Sequence, residues 1–436
     1  MKMFPITNEI LDNTAKQLGI ADVSTATIRQ ICSLSAALEE AVGQKFVHLE
    51  LGNPGLPPNK IGVEAELEAL ASGVAGIYPN IAGIPQFKTN ASRFIKAFLD
   101  TDIPGRCIVP TIGSMQGSFA CMELLHMRDP KKDTMLFINP GFPVQTNQAK
   151  IIGLNIATFD IFNHRGPELE KKLEEVLSKG NVSGMIYSNP NNPAWTNLTD
   201  EELRIIGRMA TKHDVIVLED LAYLGMDFRK YFGRPCEAPF IPTVAKYTDN
   251  YVLLISASKI FSYAGQRIGM SAISPALFDR PFEALKQKFN MPQFGNSFIY
   301  GILYALSSGT AHSAQHAMAR MLGAAADGAL DFVEECRAYE IAGNRAKKIF
   351  LDNGFHLVYD KDGDTPISDG FFFTVGYGDM SSSDLQRELM RYGISAINLA
   401  STGSEQKGLR VCISMLDAPE TFEALEKRVK SFRNDH

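Results

Sequence analysis

From about residue 104 to residue 272, short apolar runs alternate with amphipathic stretches, and this alternation restricts the possible fold more than any other feature of the chain. The segments CIVPTIG, TMLFINP, NIATFDI, SGMIYSNP, VIVLEDLAY and YVLLISAS are apolar runs bounded by turn residues, the pattern of buried strands. Helical patterns lie between them. Gly166-Pro167 opens PELEKKLEEVLSKG, which stops at Gly180 as a helix with a C-terminal glycine does. Thr199-Asp200-Glu201-Glu202 forms a capping box ahead of LRIIGRMATKH. Repeated strand–helix units predict an α/β fold, a mainly parallel sheet with helices on both faces.

After residue 330 the texture changes. EECRAYEIAGNRAKKIFLDNG reads as one long helix ending at Gly354. FHLVYDKDGDT follows as strand and turn, GFFFTVGYG as a strand, SSDLQRELMRYG as a helix, GLRVCISM as a strand and PETFEALEKRVKSF as a closing helix. These elements predict a smaller α+β domain. The expected division is an N-terminal segment, 1–60, that joins the small domain, a large domain, 61–325, and a small C-terminal domain, 326–436. The last boundary falls within 310–335.

A net charge of −6 argues against a general polyanion binder, because nucleic-acid domains carry a basic excess. The six cysteines are scattered without a CxxC pair, which suggests free thiols in a reducing compartment. MKMFPITNEILDNTAKQLG has acids and polar residues where a signal peptide needs an apolar stretch. No apolar run approaches the ~18 residues of a membrane span, so the expected location is the cytoplasm.

Four segments carry the chemistry together. They are Ser188-Asn189-Pro190-Asn191-Asn192-Pro193; Leu218-Glu219-Asp220-Leu221-Ala222-Tyr223; Ser256-Ala257-Ser258-Lys259 with Gly265-Gln266-Arg267-Ile268-Gly269; and Leu409-Arg410-Val411. Three of them begin at or just after the C-terminal end of an expected strand, the edge where open α/β sheets place ligands. In this set, order and spacing the chain resembles the class I/II aminotransferases, pyridoxal 5′-phosphate enzymes of fold type I.

The resemblance implies a role for each residue. Lys259, behind the small residues Ser256, Ala257 and Ser258, matches the lysine that carries the cofactor as a Schiff base; an aldehyde needs an amine nucleophile at that place. Asp220 matches the carboxylate that keeps the cofactor's ring nitrogen protonated, with Glu219 pointing to the opposite face of the strand. Tyr223 and Asn192 match the donors to the cofactor's phenolic oxygen. Gly113, Ser114 and Met115 open a helix that resembles the family's phosphate cradle, completed by Ser256, Ser258 and Arg267. Phe142 matches the aromatic residue stacked on the ring. Tyr78 matches a tyrosine that reaches the neighbouring subunit's phosphate, which implies a homodimer with shared sites. Arg410 matches the arginine that grips the substrate α-carboxylate through its bidentate fork, and Gly52 in LGNPG a glycine that lines the substrate pocket.

The turn departs from the family's Asn-Pro-Thr-Gly, because Asn192-Pro193 runs into Ala194-Trp195, which holds the only tryptophan of the chain. A reshaped turn, an indole at the mouth of the pocket and a packing role all remain open here. Two weaker signals point elsewhere. Asp360–Asp364 lacks the glutamate of a calcium loop and reads as a hairpin turn. His312 and His316 have no third ligand, so no metal is expected.

The implied activity is amino-group transfer between an L-amino acid and a 2-oxo acid by a ping-pong cycle. Other chemistry on the same fold, as in a lyase, decarboxylase or acyltransferase, is an alternative. A cofactor-sensing regulator is another, but the residues before Gly52 lack a basic helix-turn-helix pattern.

Overall fold

A computed structural model describes residues 4–436 of the chain. Its large sheet has seven strands: Ile108–Thr111 (β1), Thr134–Asn139 (β2), Asn155–Asp160 (β3), Val182–Ser188 (β4), Ile216–Asp220 (β5), Tyr251–Ser256 (β6) and Gly269–Ile273 (β7). Their order is β1-β7-β6-β5-β4-β2-β3, and β7 alone runs against its neighbours. Every residue of β1, β2, β4, β5, β6 and β7 is buried, which explains why these strands read as continuous apolar runs rather than alternating ones. β3, at the sheet edge, is exposed or partly exposed over its first four residues and buried only at Phe159 and Asp160. The expected helices form as Pro167–Leu177 and Asp200–Lys212, the second with its Thr199–Glu202 capping box.

A four-stranded antiparallel sheet follows: Phe355–Leu357 (β8), Phe372–Tyr377 (β9), Ile397–Asn398 (β10) and Leu409–Cys412 (β11), in the order β10-β11-β9-β8. One expectation needs correction. The stretch read as a single long helix forms two, Phe332–Glu335 and Arg337–Asp352, because Cys336 leaves the regular helical path. Lys361–Asp362 pairs with Thr365–Pro366 as the expected hairpin, and Asp362 is tied across to Arg165 and Arg229.

The N-terminal helices Asn8–Gln17 and Ile28–Val42 pack their apolar faces with Met390 and Ile397 of the C-terminal portion. Val47–His48 then runs parallel to Ile394–Ser395, and Cys412 N–H donates to Leu49 O. This pairing delivers the segment 49–59 to the gap between the two sheets.

Candidate active site

The strand ends bring the sequence motifs to one edge. Ser188, Asp220 and Ser256 are the last residues of β4, β5 and β6, and β2 ends three residues before Phe142. Gly269 pairs with both Thr111 and Ser256, so the loop before β7, which carries Arg267, rises at this same edge.

Gly113 begins the helix Gly113–Met127 with a φ of 63° and no side-chain cap. A Cβ there would lie 2.6 Å from Arg267 Nη2, so the glycine is required both for the backbone turn and for room. Ser256 Oγ accepts from Ser258 N–H at 3.2 Å, and Arg267 Nη1 reaches Ser258 Oγ at 3.5 Å. The uncapped first turn with Ser114 and Met115, two hydroxyls and a guanidinium are the groups that could hold an anion.

Asp220 is buried, and its Oδ2 accepts from Gln145 Nε2 at 2.7 Å and its Oδ1 from Ala222 N–H at 3.2 Å. Burial pushes its pKa up to about 6 against those two bonds. Glu219 lies on the other face, as strand alternation requires, and bonds with Thr243, Val244 N–H and Tyr187. Phe142, half-buried, precedes the helix Pro143–Ile152 that carries Gln145.

Lys259 Nζ donates to Gly52 O and stands 5.2 Å from the centre of the Phe371 ring. Burial lowers its pKa to about 8; the positive charges of Arg410 and Arg267 add to the shift and the Cys412 thiol opposes it. Arg410 is 2% exposed. Its Nη2 donates to Glu50 O, its Nη1 reaches Asn192 Oδ1 at 3.4 Å, and its guanidinium lies 4.9 Å from the centre of Phe372. Its Nε has no hydrogen-bond partner among the described residues. Gly52, Asn192, Lys259 and Arg410 are therefore gathered into one place. Tyr78 stands apart within the single chain, 89% exposed.

Trp195 is 0% exposed, which removes the pocket-mouth option and leaves a reshaped turn with a packing role. Its φ is 62°, and its ring centre lies 5.5 Å from that of Tyr223 and 6.0 Å from that of Phe372. A Cβ on Gly370 would come within 2.2 Å of the indole.

Sequence reasoning missed several residues. Gln145 and Gln148 are both buried one turn apart, a polar i,i+3 pair on the helix after β2 that could have flagged the first as a partner for Asp220. Phe371 and Phe372, beneath the two cations, gave no local signal.

The fold has close counterparts. Aspartate aminotransferase from Thermus thermophilus with maleate superposes with a TM-score of 0.75 at 17% identity, over 93% of this chain and 96% of that one. A probable aspartate aminotransferase of Methanocaldococcus jannaschii is 24% identical over 256 residues, 59% of this chain and 62% of its own length. S-alkyl-thiohydroximate lyase SUR1 of Arabidopsis thaliana is 27% identical over 265 residues, 58% of this chain and 54% of its own length. The chain thus spans less than two thirds of the curated relatives it matches. The family model described as aminotransferase class I and II, by contrast, matches residues 45–427. The chain belongs to the class I and II aminotransferase family.

Proposed function

We propose that the protein is a pyridoxal 5′-phosphate-dependent aminotransferase that moves an amino group between an L-amino acid and a 2-oxo acid in a ping-pong cycle. One observation carries the reading. A lysine of lowered pKa and a buried arginine with an unpartnered Nε meet carbonyls two residues apart, Gly52 O and Glu50 O. An amine base and a carboxylate receptor at that spacing suit the Cα of an amino acid held by its α-carboxylate.

The residues present fit the cofactor. The Gly113 cradle with Ser114, Met115, Ser256, Ser258 and Arg267 would hold the phosphate, and Gly113 has no room for a Cβ beside Arg267. Asp220, buried with two neutral N–H partners, would hold the proton on the ring nitrogen. Phe142 would lie against the ring, and Asn192 and Tyr223 would face the phenolic oxygen. When bound, pyridoxal 5′-phosphate supplies an aldehyde that condenses with amines and a ring that draws electrons from Cα. Arg410 then binds and orients the substrate carboxylate, and Lys259 Nζ takes the proton from Cα. Gripping the carboxylate retains it, which favours amino transfer over decarboxylation.

Tyr78 supports a homodimer with shared sites, because it and its neighbour Ile77 are exposed on the single chain. The division into 1–60, 61–325 and 326–436 belongs to the same reading. No helix of the described residues is long and apolar enough to cross a membrane, and we place the protein in the cytoplasm on its scattered cysteines.

The test is a spectrophotometric screen of amino acids for conversion of the bound cofactor to its pyridoxamine form, with product analysis. Conversion matched by one equivalent of 2-oxo acid is the expected result. Release of carbon dioxide or of an eliminated side chain, without pyridoxamine formation, would overturn the reading in favour of a lyase or decarboxylase.

A further inference from the structure

Glu50 carries a buried carboxyl group that amino transfer does not use, behind a main-chain carbonyl that touches Arg410. It is 0% exposed. Its Oε1 accepts from Ser35 Oγ at 3.1 Å and lies 2.8 Å from His48 Nδ1, while Oε2 has no partner among the described residues. The main-chain carbonyl of the same residue holds Arg410 Nη2. One residue therefore carries a buried carboxyl group on its side chain and holds, through its main chain, the guanidinium proposed to receive substrate.

A buried carboxylate needs a cation. The geometry identifies it as His48, whose second nitrogen, Nε2, lies 3.1 Å from Glu39 Oε1. A neutral imidazole has one N–H, yet both ring nitrogens here face carboxylates, which only accept; both contacts are satisfied by the imidazolium alone. The hydrogen bond to Glu50 is the main reason the His48 pKa stands above its ordinary value, with Glu39 adding to it and burial opposing it. The other groups around the pair are accounted for. Glu39 also takes Lys45 Nζ and Phe46 N–H, Arg428 donates to Lys45 O and Gly393 O, and Cys32 on the Ile28–Val42 helix is a thiol held neutral by burial. Arg29 bears on that thiol, and Ser395, opposite His48, does not titrate.

We propose that His48, through Glu50, is a positioning residue for Arg410: the imidazolium occupies Glu50, so the guanidinium's charge stays available to a substrate carboxylate. The sign follows. Below the raised His48 pKa the cation is present and Arg410 binds carboxylates well. As pH rises through that pKa the charge is lost, Glu50 competes for Arg410, and affinity falls. This inference rests on the reading of Arg410 as the carboxylate receptor.

The experiment uses propionate, a carboxylate with no amine to titrate, and cofactor-loaded protein. The dissociation constant is read from the cofactor's visible absorbance between about pH 6 and about pH 9, the range in which histidine charge changes. In the native protein it should rise by at least about fivefold, the low end of usual site-to-site couplings. His48→Gln should bind weakly and show no such rise from the acid end onward. His48→Lys, which keeps the charge, should bind tightly throughout, and Glu50→Gln should bind tightly with a flat profile. Any titration of the cofactor itself is common to all variants and cancels in the comparison. A native-like profile in His48→Gln overturns the proposal, and the two His48 variants decide it even where Glu50→Gln fails to load cofactor. Arg410→Leu separates the two levels: unchanged propionate binding there removes the carboxylate site itself, whereas lost binding with a native-like His48→Gln removes only the His48–Glu50 coupling.

Discussion

The two halves of the candidate site are built by different means. The half proposed to hold the cofactor, with Gly113, Asp220, Ser256, Ser258 and Arg267, stands on the ends of neighbouring strands whose register is set by the large sheet. The half proposed to hold the substrate, with Gly52, Glu50 and Arg410, is made where the segment 49–59 crosses to β11, and its Arg410–Glu50 bond joins residues 360 positions apart in the chain. The first half inherits its geometry from a buried sheet; the second depends on long-range contacts holding two sheets in one arrangement. Substitutions on the sheet side should therefore strike the cofactor and the chemistry, and those on the other side substrate recognition.

The sharpest break comes at Lys259, where the halves meet. Lys259→Ala should retain cofactor yet lose turnover by about four decades or more. Borohydride reduction followed by mass spectrometry should locate the cofactor on Lys259 in the native protein; an adduct on another lysine would dissolve the assignment. Next in size is Arg410→Leu. Loss of one partner of a desolvated pair costs about 3–5 kcal/mol, so kcat/KM should fall roughly two to four decades in both half-reactions. Cofactor content should stay native, and an unaltered value in either half-reaction would show that the halves are not divided at Arg410.

Asp220→Ala belongs to the sheet side. It should weaken cofactor retention and slow Cα proton removal, measured by stopped-flow, on the order of a hundredfold. Near-native rates would hand the ring nitrogen to another carboxylate. Tyr78→Phe gives the smallest effect: one hydrogen bond to a charged group contributes about 1.5–3 kcal/mol, so the cofactor dissociation constant should rise roughly ten- to hundredfold. Sedimentation of a fully active monomer would rule out the shared site.

The sheet side was legible in the sequence because its signals are local. The buried strands β1, β5 and β6 are apolar runs that end within a few residues of Gly113, Asp220 and Lys259, and a short motif stands for a three-dimensional edge. Gln145 escaped because an isolated glutamine carries no motif, and only the fold carries it to Asp220. Phe371 and Phe372 read as strand residues, and nothing nearby in the chain shows that they lie under Lys259 and Arg410. His48 and Glu50 belong to no motif, and their meaning depends on Ser35 and Arg410, one 15 and the other 360 positions from Glu50. The break at Cys336 was lost for a related reason: apolar periodicity continues across it, and the backbone departs from the helix for a single residue.

Trp195 is the single tryptophan of the chain, wedged against Tyr223 in the turn after β5 of the large sheet and against Gly370 and Phe372 at the small one. All indole fluorescence of the protein therefore arises at one seam, beside the turn that carries Asn192. Without any introduced dye, emission colour and intensity become a direct gauge of how tightly the two sheets are pressed together, and anything that pries them apart by the width of a water molecule should shift the emission to the red.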